Sequence, residues 1–184
     1  MRIKENKGIT LIILVITIIV LLILAGVTIN AGTESIKKAK LETLRTNMLL
    51  IKAKSKEICE EANFKAGIIK DDDTAEAKAE KIGKGLNFIK NSKEEGGKGL
   101  STAADLSTVN ATLGDDTEGK YAAELTIQNL KDLGLDEVAN TQNSGTFIVL
   151  FDIKNNTVEV YNTNGFEENN MKKYSLTEIE GIED

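Results

Sequence analysis

Few side chains in this chain of 184 residues are suited to catalysis or to binding a metal. The chain has no histidine, which excludes His-based acid–base catalysis, His-activated nucleophiles and His-ligated metals. Cys59 is the only cysteine, so neither an internal disulfide nor a thiolate cluster can form. We expect Cys59 to be a small buried residue, with an intermolecular or redox role as the alternative. Only an Asp/Glu or Ser/Lys site would remain, and we predict that the chain is not an enzyme.

Three clusters of acidic residues or glycines resemble known sites only in composition. Residues 71–73 are all aspartate but lack the spacing and the glycine of an EF-hand calcium loop. They precede the strong helix formers at 75–81, so we expect them to cap a helix. Residues 83–85 and 96–99 are rich in glycine but lack the frame of a phosphate-binding loop. We predict that both are flexible loops.

The clearest β-strand signal predicts a hairpin near the C-terminus. Residues 146–153 (TFIVLFDI) are rich in β-branched and aromatic side chains, and residues that follow the turn alternate in polarity. Asn155 and Asn156 tolerate the positive φ of a two-residue loop, and closing the chain there sets Asp152 opposite Glu159. We expect these two like charges to be well solvated, with a bound cation such as Ca²⁺ as the alternative. No other cofactor is predicted.

A long helix precedes the hairpin and offers a surface on which it can pack. Beyond residue 40, apolar residues recur at alternating spacings of three and four, as on one stripe of an amphipathic helix. The stripe comprises Leu41, Leu44, Met48, Ile51, Ser55, Ile58 and Ala62. The apolar face of the predicted hairpin comprises Val149, Phe151, Ile153, Val158 and Val160. We therefore predict an α+β fold, in which the long N-terminal helix packs on a small C-terminal domain with an antiparallel hairpin or small sheet.

The first half of this helix is apolar on all sides. Residues 9–29 are uncharged, and as a helix they would extend about 31 Å, the thickness of a bilayer's hydrocarbon core. Arg2, Lys4 and Lys7 precede the run, which contains no small-x-small site of the kind that ends a secretory signal. Hydropathy alone favours an ordinary single-pass anchor, and the basic residues on both sides of the run leave its orientation open.

The junction before the apolar run favours a more specific interpretation. Residues 7–12 (KGITLI) resemble the K-G-(F/I)-T-L-(I/V) motif of type IV pilins and type II secretion pseudopilins. The resemblance implies that a prepilin peptidase cuts after Gly8 on the cytoplasmic face and that the new N-terminal residue, Ile9, is N-methylated. Residues 158–165 (VEVYNTNG) and 174–179 (YSLTEI) are similar to the C-terminus of pseudopilin-like proteins of Gram-positive clostridial bacteria.

One position departs from this family's motif. The fifth residue after the predicted cut is a glutamate in the family and Ile13 in this chain. In the family, that glutamate is thought to pair with the cationic N-terminus of a neighbouring subunit in the dry filament core. Without it, three outcomes are open: the subunit caps the filament tip, it co-assembles with Glu-bearing subunits, or Thr10, Thr17 or a backbone carbonyl satisfies the amine. We favour a minor or non-standard subunit.

These observations divide the chain into segments. Residues 1–8 form a leader, 9–29 a transmembrane or filament-core helix, 30–63 its amphipathic continuation, and 64–184 a globular α+β domain. Within this domain, residues 66–120 are predicted to be a variable loop region. The chain is long enough for one such domain besides the apolar run.

The function predicted from the resemblance is that of a structural subunit of a type IV pilus-like or type II secretion-like filament. Its partners would be other subunits, the prepilin peptidase, the membrane and an assembly platform with a separate ATPase. It would lie in the cytoplasmic membrane before assembly and in an extracellular filament at the cell surface afterwards. The alternative is an anchored surface module, uncut at Gly8, that binds a partner through residues 66–120. The net charge of −6 argues against nucleic-acid binding.

Overall fold

The computed structural model describes the backbone of residues 7–67, 69–91, 96–141 and 145–182. Within the first helix it describes the side chains of residues 13–22 and of residues 33 onward. The chain forms two compact units, Met1–Glu42 and Thr43–Asp184. Helix α1 (Lys7–Ala66) begins in the first unit and ends in the second. The predicted long N-terminal helix is confirmed.

The second unit is an α+β domain built on one antiparallel sheet. The strands are β1 (Lys120–Leu125), β2 (Phe147–Asp152), β3 (Thr157–Glu168) and β4 (Met171–Ser175), and they lie in the sheet in this order. The helices after α1 are α2 (Ala75–Lys90), α3 (Ile127–Asp132), α4 (Asp136–Asn140) and α5 (Leu176–Glu180). A 3₁₀ turn spans Leu106–Val109. The predicted fold class is therefore confirmed for this unit.

The second half of α1 covers one face of the sheet. Every residue of the predicted stripe is buried, and so are Val149, Phe151 and Val160 on the sheet. The Sγ atom of Cys59 lies 3.7 Å from the carbonyl oxygen of Asp152. Burial of both surfaces and this contact agree with the predicted packing. Because Met48, Ile51 and Phe151 are fully enclosed, removing atoms from any of them would leave a cavity.

The other face of the sheet is covered by the 3₁₀ turn. Leu106 and Val109 form a core cluster with Ala122, Ile148 and Tyr161. The predicted variable region 66–120 therefore supplies ordered elements that bury the sheet, and its description as a loop region is wrong for this part.

Glycine has a packing role in α2, where the sequence predicted a flexible loop. Residues 83–85 lie inside this helix, so that prediction is wrong. A Cβ atom on Gly85 would lie 3.3 Å from the carbonyl oxygen of Ala62 and 3.2 Å from Cγ2 of Ile153. The missing side chain lets α2 approach α1 closely, and this gain in packing outweighs the low helix propensity of glycine. The predicted helix after these aspartates is confirmed, but its N-cap is Thr74 rather than an aspartate at 71–73, since Oγ1 of Thr74 accepts a hydrogen bond from the Ala77 N–H.

The β2–β3 hairpin has a different register from the predicted one. Asp152 pairs with Thr157, and Leu150 pairs with Glu159, so the prediction is wrong by two residues. A shift of two residues keeps each side chain on its face of the sheet. This is why the buried face was predicted correctly although its pairing was not.

The residues at the turn explain the shift. The Ile153 N–H donates to the carbonyl oxygen of Gly119 at 2.9 Å, which extends the β1–β2 ladder by one residue. The Asp152 carboxylate accepts a hydrogen bond from the Asn155 N–H at 2.9 Å, and Asn156 has a φ of 52°. The loop thus contains four residues rather than two. Asparagine favours such turns because its side chain and backbone tolerate this geometry.

We expect Phe151→Ala to lower the free energy of unfolding by about 3 to 5 kcal/mol, because the side chain is fully buried and would leave a cavity. Denaturant unfolding of a fragment that begins at residue 34 measures the change. Met171→Ala is the matched control, because this side chain is 62% exposed and should change stability little. A loss below about 1 kcal/mol for Phe151→Ala would contradict the packing.

Candidate assembly site

The exposed part of α1 between residues 13 and 22 is the candidate assembly site. Nine large aliphatic side chains in this stretch are 46 to 67% exposed, and they occur on every side of the helix. Thr17 is the only other residue type in it. A contiguous apolar surface of this kind marks a site that contacts lipid or another protein.

Two of the predicted assembly residues meet within this stretch. The Thr17 hydroxyl donates a hydrogen bond to the carbonyl oxygen of Ile13 at 2.7 Å. Its proton is therefore satisfied inside the helix, although its oxygen can still accept. Ile13 is 59% exposed and offers no charge. The side chains of Ile9 and Thr10 lie outside those described, while the backbone of Gly8 and of both residues belongs to α1.

Among the side chains that the structure describes, no helix has a stretch long and apolar enough to cross a membrane. The side chains of residues 9–12 and 23–29, which belong to the predicted membrane span, lie outside the described ones.

The observed hairpin register does not support the cation site that was the alternative prediction for Asp152 and Glu159. The two residues are not cross-strand partners, so their carboxylates are not set opposite one another. The Asp152 carboxylate is buried and accepts two hydrogen bonds from Asn155, at 2.9 Å from the backbone and 2.8 Å from the side-chain amide. Asp152 thus stabilises the hairpin turn. In the described part of the chain, no cluster of three acidic or cysteine residues could hold a metal ion.

Glu159 lines an open groove on the sheet face that bears the 3₁₀ turn. The groove has a volume of about 390 Å³, and its polar walls include Tyr174, Lys172 and Glu178. The Glu178 carboxylate accepts hydrogen bonds from the N–H groups of Ser175 and Tyr174 at the start of α5, and these bonds hold its pKa below the usual range. The mixed charge of the groove favours no single class of ligand.

Cys59 is a buried structural residue rather than an exposed reactive thiol. Its side chain is inaccessible, and its Sγ atom faces the carbonyl oxygens of Asp152 and Thr157 at 3.7 and 3.9 Å. Burial raises the pKa of the thiol to about 11 from its ordinary value of 9.0. The thiol form is therefore favoured at neutral pH, which agrees with the first of the two predicted roles.

Alkylation of Cys59 should be at least about 100-fold slower in the native chain than in denaturant, because a pKa raised from 9.0 to about 11 lowers the thiolate fraction by that factor. As the pH is raised from 9 to 11, the alkylation rate of the native chain should keep rising, whereas the rate in denaturant should level off. A variant that combines Cys59→Ala with Ala53→Cys moves the thiol to an exposed position on the same helix and should react quickly. Equal native and denatured rates for Cys59 would contradict its burial.

The role of Arg45 was not predicted from the sequence. Its guanidinium donates hydrogen bonds to the carbonyl oxygens of Ile179 and Ile182, at 3.3 and 3.0 Å. These carbonyls lie at the C-terminal end of α5, where a helix leaves acceptors unsatisfied and where a cation is stabilised. Because 134 residues separate Arg45 from Ile179, no local pattern could reveal the contact.

Comparisons with protein-family models, with curated proteins and with solved structures found no match to this chain.

Proposed function

We propose that this chain is a pilin or pseudopilin, a structural subunit of a type IV pilus-like or type II secretion-like filament. The observation that carries the proposal is the exposed apolar surface of residues 13–22, which directly follows the KGITLI junction. In this proposal a prepilin peptidase cuts after Gly8 and Ile9 is N-methylated. Assembly proceeds through the N-terminal helix on a platform with a separate ATPase.

The physical basis of the proposal is that the first half of α1 needs an apolar environment on every side. Lipid supplies it before assembly, when residues 9–29 would span the cytoplasmic membrane, and neighbouring subunits supply it in the filament. Because both environments are apolar, transfer between them yields little hydrophobic free energy. Association must then come from close helix packing and from polar pairing.

The C-terminal unit supports the same division of roles. Its own sheet buries the stripe of α1 through residues such as Met48 and Ile51. The contiguous apolar surface of residues 13–22, by contrast, is exposed in the first half of the helix. The acidic domain would remain in water, on the cell surface, and we expect no nucleic-acid partner.

The N-terminus of the mature protein tests the proposal directly. Coexpression with a prepilin peptidase, followed by mass spectrometry, should find a chain that begins at Ile9. Gly8→Leu should abolish the cut, because the peptidase would have to accommodate a large side chain next to the bond. Gly83→Ala is the control, since a Cβ atom there meets nothing within 4 Å. A mature chain that retains Met1 or Arg2 would instead support the uncut anchored module.

We further propose a minor or non-standard role in the filament, because Ile13 supplies no carboxylate for a neighbour's N-terminal amine. An uncompensated charge in a dry core costs several kcal/mol. The Thr17 hydroxyl can accept a hydrogen bond but carries no charge to balance the amine.

The chain should therefore be scarce relative to a Glu-bearing partner and should form no long filaments alone. Ile13→Glu should restore self-assembly, whereas Ile16→Glu, which adds the same charge three residues later, should not. Electron microscopy and quantitative mass spectrometry of purified filaments measure both results. Filaments composed mainly of the wild-type chain would contradict the minor role.

A further inference from the structure

An asparagine side chain organises an irregular segment of β3. The pairing of β3 with β4 is interrupted between Tyr161 and Phe166. Asn162 lies in this segment and is only 1% exposed. Its Oδ1 atom accepts hydrogen bonds from the N–H groups of Asn164 and Gly165, at 3.1 and 3.0 Å. One buried carboxamide thus fixes the direction of two successive backbone amides.

Gly165 cannot readily be replaced by another residue at this position. Its φ is +61°, and a Cβ atom would lie 2.9 Å from the carbonyl oxygen of Lys173. The left-handed conformation and the close approach of β4 both favour glycine. The fold therefore requires that Asn164, which is exposed, be followed by a glycine.

This pair of residues has a specific chemical liability. It is the one place in the sequence where an asparagine precedes a glycine. In such a pair the deprotonated backbone nitrogen of the glycine attacks Cγ of the asparagine, since no side chain hinders the approach. A new N–Cγ bond forms, the Cγ–Nδ2 bond breaks, and ammonia leaves with the proton. Water then opens the cyclic imide to aspartate or isoaspartate, so the reaction needs no other reagent.

We propose that Asn164 is a deamidation site and that Asn162 slows the deamidation. The attacking atom would be the Gly165 nitrogen, whose proton is donated to Oδ1 of Asn162. While this bond persists, the nitrogen keeps its proton and its amide plane keeps its direction. Attack on Cγ requires both to change, so loss of the bond must precede the reaction. Asn162 is a positioning residue in this scheme, and Asn164 and Gly165 are the reacting residues.

The reaction would change β3 in two ways. Either product replaces a neutral amide by a carboxylate, which increases the negative charge of an already acidic chain. Isoaspartate also inserts an extra carbon into the main chain, next to a glycine that fits closely against β4. The segment between Tyr161 and Phe166 would then have to rearrange.

The proposal is tested by incubating the full-length chain, purified in detergent, in mildly alkaline buffer. Peptide mass spectrometry follows the mass increase at each asparagine. In the native wild type, Asn164 should react more slowly than in the same protein in denaturant. Asn162→Ala, which removes the acceptor, should speed the native reaction about threefold to tenfold, the effect of losing one neutral hydrogen bond. Asn162→Asp is the matched control, because it retains an acceptor oxygen and should react as slowly as the wild type.

Two results would overturn the proposal. One is an equal rate at Asn164 in the native and the denatured wild type. The other is an unchanged rate in Asn162→Ala when circular dichroism shows that the variant is folded. If that variant does not fold, hydrogen exchange of the Gly165 amide in the wild type decides. Protection of this amide supports the proposal, and exchange at the rate of an unstructured peptide contradicts it.

Discussion

The surface of helix α1 imposes the main constraint on this protein. Its second half has one apolar stripe, which the small sheet buries completely at Met48, Ile51 and Phe151. Between residues 13 and 22 the same helix exposes apolar side chains in every direction. One sheet can cover only one side of a helix, so no domain of this design could satisfy both halves. In the proposed function, lipid or neighbouring subunits cover the first half.

Features with a local cause could be predicted from the sequence. The spacing of Leu44, Met48 and Ile51 identified the buried side of α1, because helical periodicity is a property of neighbouring residues. Residues 126–133 (TIQNLKDL), followed by Gly134, have the local pattern of a short helix, and α3 begins directly after Thr126, its N-cap. A two-residue turn was predicted at Asn155 and Asn156, and this prediction was wrong. Such a turn lies at Asn169 and Asn170, whose φ angles are 50° and 62°.

Features that depend on distant contacts could not be predicted. Gly85 was wrongly assigned to a flexible loop. A glycine is needed there because the backbone of Ala62, more than twenty residues earlier in the chain, approaches it closely. Strand β1 was missed because its partner strand is needed to recognise it. The candidate assembly site was accessible to prediction because its signal lies in one continuous run of sequence.

The contact between Arg45 and the end of α5 bears on how the domain folds. The acceptors at Ile179 and Ile182 are 134 and 137 residues away from the guanidinium, and the strands that cover the stripe also lie far downstream of it. Contacts of such sequence separation require costly loop closure and slow the folding of a domain. During synthesis the stripe would therefore be complete long before the chain that buries it, and α1 would expose both its apolar halves at once. Until β2 and β3 have been made, the exposed stripe of the second half adds to the tendency of the chain to aggregate.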